Sequence, residues 1–389
     1  MTTLPTYMNA MLLVGHGGVD KLEWRSDAPT PVPGPGEVVI AVDACGLNNT
    51  DINTRTAWYA AAVTDGTTNH SASDAGIDSL RADATWTGQP LTFPRIQGAD
   101  VVGTAAALGE GVDRGLLNRR VMIDPWVLDS DDPNDLSRAR YLGSEIDGGF
   151  AQYTKVPAKN VVPVSSTLSD AELATFACSY TTAETMLGRA DVQRDEVVVV
   201  TGASGGVGTA AIQLAKARDA TVIAIAGAAK GHRLLALGAD SVIDRRVDDL
   251  SSAVVDAAPD GRIDVIADVV GSSMFSSLVP LLAAGGRYTS CGAISGPLVE
   301  FDLRHLIYRD LRFIGTAVCP PGTMRRVVDM IEAGAIRPVL HATYPLEELA
   351  VAQEAFEIKQ HVGNIVVTVD TTSQDQGINL ASPVDDSHT

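Results

Sequence analysis

Aromatic residues are scarce: phenylalanine, tyrosine and tryptophan together make up 5% of 389 residues, so any core must be mostly aliphatic. Cysteine is scarcer still. The four cysteines, Cys45, Cys178, Cys291 and Cys319, are scattered and form no C-x-x-C pair. That excludes a disulfide framework and a zinc knuckle. Positive charge is in short supply, with 29 lysines and arginines against 48 acidic residues and a net charge of −19. Such a surface repels the phosphates of nucleic acid and of anionic lipid, so neither is expected as a partner. Long apolar runs are missing too: none approaches the roughly 18 residues of a spanning helix. Met1–Ala10 lacks a basic segment followed by an apolar one, so a cytoplasmic protein is expected. The length suits two domains rather than one core.

What is present centres on one stretch. Val197-Val198-Val199-Val200 is a β-branched apolar run, the pattern of a strand buried on both faces of a parallel sheet. Thr201-Gly202-Ala203-Ser204-Gly205-Gly206-Val207-Gly208 follows at once. Thr209–Ala217 then carries apolar residues at helical spacing. Strand, glycine turn and helix are the setting of a dinucleotide-binding fingerprint. The pattern here is A-x-G-x-x-G, with Ala203 in the first position. Gly205 lets the backbone approach a pyrophosphate, and Gly208 lets the helix pack close to the strand. The free N–H groups at the helix start favour phosphate.

Before this stretch the chain reads as β-rich. Strands are expected at Ala10–Val14, Glu37–Ala44 and Pro94–Gly103. The proline-rich loop Pro29–Gly36 separates the first two. Thr50 or Asp51 is a candidate cap for a short helix. Ala60–Thr92 is an irregular inserted segment with a short helix expected at Ser73–Ala82. Asp129–Asp135 reads as an acidic loop, and Asp147–Tyr153 as a turn into another strand. From Ser169 the grammar changes. Ser169–Leu187 reads as a helix opened by a Ser169/Glu172 capping box. Strands at 197–201, 221–226, 241–244, 263–269, 286–290 and 312–316 then alternate with helices, the mark of a doubly wound parallel sheet. Helices at Thr323–Ala333 and Leu346–Lys359, with Ile336–Pro338 between them, lead to a last strand at Asn364–Asp370. A polar tail follows. The fold expected is α/β: a Rossmann sheet over 166–316, and a β-rich catalytic domain over 1–165 to which 317–372 returns, with 373–389 disordered.

Four places resemble the medium-chain dehydrogenase/reductase superfamily, in its zinc-free quinone oxidoreductase branch. They are Gly202–Gly208; Gly46-Leu47-Asn48 with Arg55 and Tyr59 following; Asp147–Tyr153; and His361–Val366. The resemblance, running from about Met8 to Asp370, implies a GroES-like catalytic domain and a homodimer formed through the edge strand matching Arg312–Ala317. Zinc alcohol dehydrogenases carry a Cys where this chain has Asn48, and Gly-His-Glu where it has Gly98-Ala99-Asp100. Neither Asn48 nor Ala99 supplies thiolate or imidazole, so no metal site is expected.

NAD-preferring folds place an acidic residue roughly 20 residues beyond the glycine turn. Here the second strand runs into Gly227, and no Asp or Glu occurs between Ala220 and Ala239, where Lys230 and Arg233 stand instead. NADP(H) is the cofactor expected, although both cations also fit a solvated helix start. The resemblance places Thr182 near the nicotinamide; an ordinary mid-helix threonine bonded one turn back is the other reading. Cys291 and Gly292 follow a sheet strand, so their backbone meets the carboxamide, with the Cys291 side chain a small buried residue. Asn364 completes the cofactor set. Asn48, Arg55 and Tyr59 are the catalytic candidates, with a packed aromatic the alternative for Tyr59 and an ion pair for Arg55. The activity expected is NADPH-dependent hydride transfer to an activated double bond of a small quinone, enone or enoyl substrate. A non-catalytic NADPH-binding protein and a zinc-type alcohol dehydrogenase are the alternatives. Ala60–Thr92 is expected to shape or cover the substrate pocket.

Overall fold

A computed structural model describes residues 4–67, 84–129, 135 and 138–370. The expected helix at Ser73–Ala82, most of the acidic loop and the tail lie outside the described residues. Among the described residues no helix is long and apolar enough to cross a membrane.

The six strands of the second half form one parallel sheet. Its spatial order is Ser241–Asp244, Thr221–Ala226, Val197–Val200, Ile263–Asp268, Leu282–Ser290, Arg312–Gly315. The chain thus starts in the middle, winds to one edge, returns and winds to the other. The crevice of such a fold opens where the order reverses, beyond the carboxyl end of Val197–Val200. All four valines of that strand are buried. Each contributes about 1.5–3 kcal/mol of burial. Gly206–Lys216 follows as a helix. A Cβ on Gly208 would lie 2.4 Å from the Gly202 carbonyl oxygen, so only glycine permits this helix to sit so close to its strand.

The first half builds an antiparallel β-unit around Glu37–Gly46, which pairs with Asp100–Leu108, Tyr153–Pro157 and, from the far end of the chain, Asn364–Thr368. Leu340–Pro345 pairs in turn with Asn364–Thr368. The expected strand at Pro94–Gly103 is broken into Arg95–Ile96 and Asp100–Leu108. Gly98, between them, has φ +99°, and a Cβ there would meet Cys45 Sγ and the Phe150 ring. The expected helix Ser169–Leu187 is also broken, into Asp170–Leu173 and Ala177–Arg189. The capping box is present, with Glu172 N donating to Ser169 Oγ and Ser169 N to Glu172 Oε2. The break frees the Thr175 carbonyl, which accepts from Asn364 Nδ2 at 3.2 Å. The first helix is Asn49–Arg55, capped by extended Asn48 rather than by Thr50 or Asp51. Asp51 is its third residue and reaches back to Asn48 N at 2.8 Å.

Candidate functional site

Two adjoining cavities lie between the β-unit and the glycine turn. The larger, of about 1,230 Å³, runs along the turn and the ends of the second and third parallel strands. Gly202, Ser204, Gly205, Gly206, Gly227, Lys230 and Arg233 all line it. Arg245, Arg246, Lys359 and His361 join them; none of these four was among the expected residues, and Asp244 and Glu357 are the acidic members. Lys230 Nζ donates to Ser204 Oγ at 3.1 Å and to the Lys359 carbonyl at 2.8 Å. Burial, then Arg245 and Arg233, push its pKa down: three cations crowd one wall, where an anionic group would relieve them. The Lys359 ammonium donates to Asn49 Oδ1 at 2.7 Å and sits 3.7 Å from the centre of the Phe356 ring. Burial brings its pKa down to about 7. His361 is buried, and its Nδ1 has no partner among the described residues.

The glycines fit a bound dinucleotide. A Cβ on Gly206 would come within 2.3 Å of Ser179 Oγ and 2.4 Å of Asn364 Oδ1, whereas Gly227 borders open space. Gly363 N donates to the Ser204 carbonyl at 2.9 Å, so the carboxyl-terminal segment docks directly on the turn. Ala203 faces away from both cavities. It is fully buried and packs where the helix crosses the strand, so its part is in packing rather than contact with the cofactor.

The smaller cavity, of about 260 Å³, holds Asn48, Tyr59, Thr182, Val207, Gly208, Cys291, Gly292 and Asn364 in its walls. Asn48 Nδ2 donates to Asp100 Oδ2 at 3.0 Å, and Cys178 N donates to Asp100 Oδ1. Asp100 and Asp51 are buried, which raises both carboxyls to about 7. Tyr59 donates to Thr50 Oγ1 at 3.2 Å, and burial raises its pKa, so the phenol stays protonated. Burial pushes Cys291 up to about 12, which leaves a thiol rather than a nucleophile. The Asn364 amide is taken up by Ser179 Oγ and the Thr175 carbonyl, which sets its Oδ1 where a side chain on Gly206 would collide.

Arg55 lines neither cavity. Its guanidinium is buried and donates to Gln353 Oε1 (2.8 Å), the Gly17 carbonyl (2.8 Å) and Glu357 Oε2 (3.3 Å). It ties the first helix to Leu349–Glu357, the ion-pair role that stood as the alternative to a catalytic one. The described ends of the inserted segment do reach the cavity, through Thr67 and Trp86. Thr67 N crosses to the nucleotide-binding half, donating to the Ile294 carbonyl at 2.9 Å.

Zinc does not fit this donor set. Ala99 has no donor atom, and Asn48 carries a neutral amide where a thiolate would be needed. Among the described residues no three His, Cys, Asp or Glu side chains converge as ligands.

Comparison with known proteins fits this architecture. Residues 34–166 match the alcohol dehydrogenase GroES-like domain, and residues 206–333 the zinc-binding dehydrogenase domain. A crystal structure of a putative alcohol dehydrogenase from Sinorhizobium meliloti 1021 is 44% identical with a TM-score of 0.85, over 95% of this chain and 99% of that one. An NAD-dependent alcohol dehydrogenase of Sulfolobus acidocaldarius is 29% identical over 93% of this chain and 100% of its own. The quinone oxidoreductase of Rattus norvegicus is 26% identical over 91% and 95%. The chain belongs to the medium-chain dehydrogenase/reductase superfamily: it is an oxidoreductase that joins a GroES-like domain to a pyridine-nucleotide-binding Rossmann fold.

Proposed function

We propose that the protein is an NADP(H)-dependent reductase of activated carbon–carbon double bonds in quinones, enones or enoyl-type substrates, working without a catalytic metal. The observation that carries this reading is the smaller cavity: hydrogen-bonding but uncharged among the described residues, and lined by Asn48 where a metal-dependent relative needs a thiolate. Without a metal there is no strong Lewis acid to polarise an isolated carbonyl or alcohol, and an activated double bond needs less such help. The bound cofactor supplies the hydride. The Tyr59 hydroxyl, once turned from Thr50, and the second N–H of the Asn48 amide are the donors for an enolate oxygen, and Asp100 holds that amide in place. The proton to carbon comes from a side chain or from water. Lys230, Arg233, Arg245 and Arg246 favour a 2′-phosphate, although Asp244 stands among them.

The test is NADPH oxidation with a panel of enones, quinones and alcohols, before and after exhaustive chelation, alongside NADPH and NADH titrations. Chelation should leave enone reduction intact. NADPH should bind tighter than NADH by about 1–3 kcal/mol, and Lys230→Ala should remove most of that difference. Equal affinities would overturn the cofactor assignment. A stoichiometric metal lost together with activity, or turnover of alcohols alone, would favour the dehydrogenase reading. We also propose a homodimer, formed by continuing the parallel sheet across its exposed edge strand Arg312–Gly315.

A further inference from the structure

A chain poor in aromatics places several of them in the wall of one cavity. Three of its four tryptophans, Trp58, Trp86 and Trp126, line the smaller cavity together with Tyr59 and Tyr141. Trp86 meets Trp126 edge-on, with ring centroids 4.6 Å apart and planes at 88°. Trp126 meets Tyr141 at 4.6 Å. One carboxylate fixes this wall. Glu145 accepts from Trp86 Nε1 (3.1 Å), Thr87 Oγ1 (3.0 Å) and Tyr141 N (3.0 Å). The ring contributed by the inserted segment is thereby locked to rings of the β-unit before any substrate arrives. Among the described residues no Asp, Glu, Lys, Arg or His lines this cavity. Its volume of about 260 Å³ lies just below the roughly 300–1,000 Å³ of ordinary small-molecule sites.

We propose that the Trp86–Trp126–Tyr141 wall is a substrate-selecting subsite for a neutral, planar aryl group conjugated to the reacting double bond, so that the preferred substrates are aryl enones. The proposal rests on the reading of the protein as a reductase of activated double bonds. A flat ring can cover the exposed aromatic edges and faces, and each aromatic contact adds to simple burial. A carboxylate or phosphate placed here would lose its hydration with no described counter-charge to replace it. The basic side chains that would hold a nucleotide-tailed thioester lie along the other cavity. A small aliphatic enone would leave the wall uncovered.

The test uses the full chain with NADPH and three substrates: benzylideneacetone, methyl vinyl ketone and crotonyl-coenzyme A. A parallel titration adds benzylacetone, which cannot be reduced at a double bond, to the protein with NADP⁺, and reads tryptophan quenching. Benzylideneacetone should exceed methyl vinyl ketone in kcat/KM by about tenfold or more. Trp86→Leu and Trp126→Leu should each cut that preference by about tenfold, mainly through KM, and change methyl vinyl ketone turnover by less than about threefold. NADPH affinity should not move. Trp86→Phe, which keeps a ring and guards against a folding defect, should restore most of the preference. The proposal falls if the thioester or the small enone is preferred, or if the tryptophan variants lower all substrates alike. If no enone is reduced yet benzylacetone still quenches, and does so less in Trp86→Leu, the subsite stands and the reductase reading fails. If enones are reduced without aryl preference, the reductase reading stands and the subsite fails.

Discussion

Asp100 is the residue on which the site turns. It holds the Asn48 amide, accepts from the Cys178 backbone, and is completely buried. Burial lifts its carboxyl to about 7, and its charge adds to the burial that raises Asp51 to about 7. In the unfolded chain an aspartate titrates at about 3.9. Between these values the folded state binds more protons than the unfolded one. The stability this residue contributes is therefore full below about pH 4 and is lost as pH rises through about 7. Asp100→Asn should keep the shape and remove this titration. The melting temperature of the wild type should fall more steeply than that of the variant between about pH 4 and 7; parallel profiles would refute the assignment. None of this was legible locally. Asn48 could be read as a missing thiolate, but its partner lies 52 positions away, with no pattern joining them. The two alternatives for Arg55 stayed open because spacing along a helix does not say which cavity a long side chain faces. Arg245 and Arg246 were missed although a signal existed, since they directly follow a strand whose carboxyl end opens on the nucleotide cleft. Lys359 had no such signal: only tertiary folding brings its ammonium to Asn49.

At the scale of elements, the stretch 60–67 acts as a strap between the two halves. Trp58 Nε1 donates to the Asp65 carbonyl, and Thr67 N reaches the Ile294 carbonyl beyond the cleft. Between these contacts a Cβ on Gly66 would lie 2.6 Å from the Ile294 carbonyl oxygen and 2.9 Å from the Ser295 carbonyl carbon. Both are backbone atoms, which cannot swing aside. Gly66→Ala should therefore lift the strap and raise the KM of the reduced substrate by about three- to tenfold, with NADPH affinity unchanged. An unaltered KM would show that the strap does not shape the cavity. The inner strands Val197–Val200, Thr221–Ala226 and Ile263–Asp268 were legible because strands buried on both faces read as largely apolar runs. Leu22–Pro29 was not, because most of that strand is exposed and its side chains are polar. The helix break at Thr175 was hidden for another reason. The carbonyl it frees is taken up by Asn364, 189 positions away, and no local propensity announces that partner.

At the scale of the whole molecule, one face of the nucleotide-binding half stands out. Leu298, Val299, Leu303, Ile307 and Tyr308 are exposed beside the edge strand Arg312–Gly315, where Phe313 is also partly bare. Apolar side chains next to an unpaired strand edge mark an association surface. The protein should behave as a dimer in light scattering at micromolar concentration, and Ile307→Asp combined with Tyr308→Asp should yield monomers. A monomeric wild type would refute the proposed dimer. The division of labour between halves was legible from the switch in grammar at Ser169; the exposed face was not, because a sequence does not display which apolar residues stay outside. The interleaving of the two halves has a consequence for how the chain comes to be made. Val366 pairs with Gly46, and Gly363 with Gly205. Every strand of the parallel sheet, in contrast, lies between residues 197 and 315. During synthesis from the amino end, the nucleotide-binding sheet has all its strands before the earlier half has its own. The strand Glu37–Gly46 must wait some 320 residues for its last neighbour, which costs loop-closure entropy and leaves an apolar edge open meanwhile. The half that is translated first is therefore the half that is completed last.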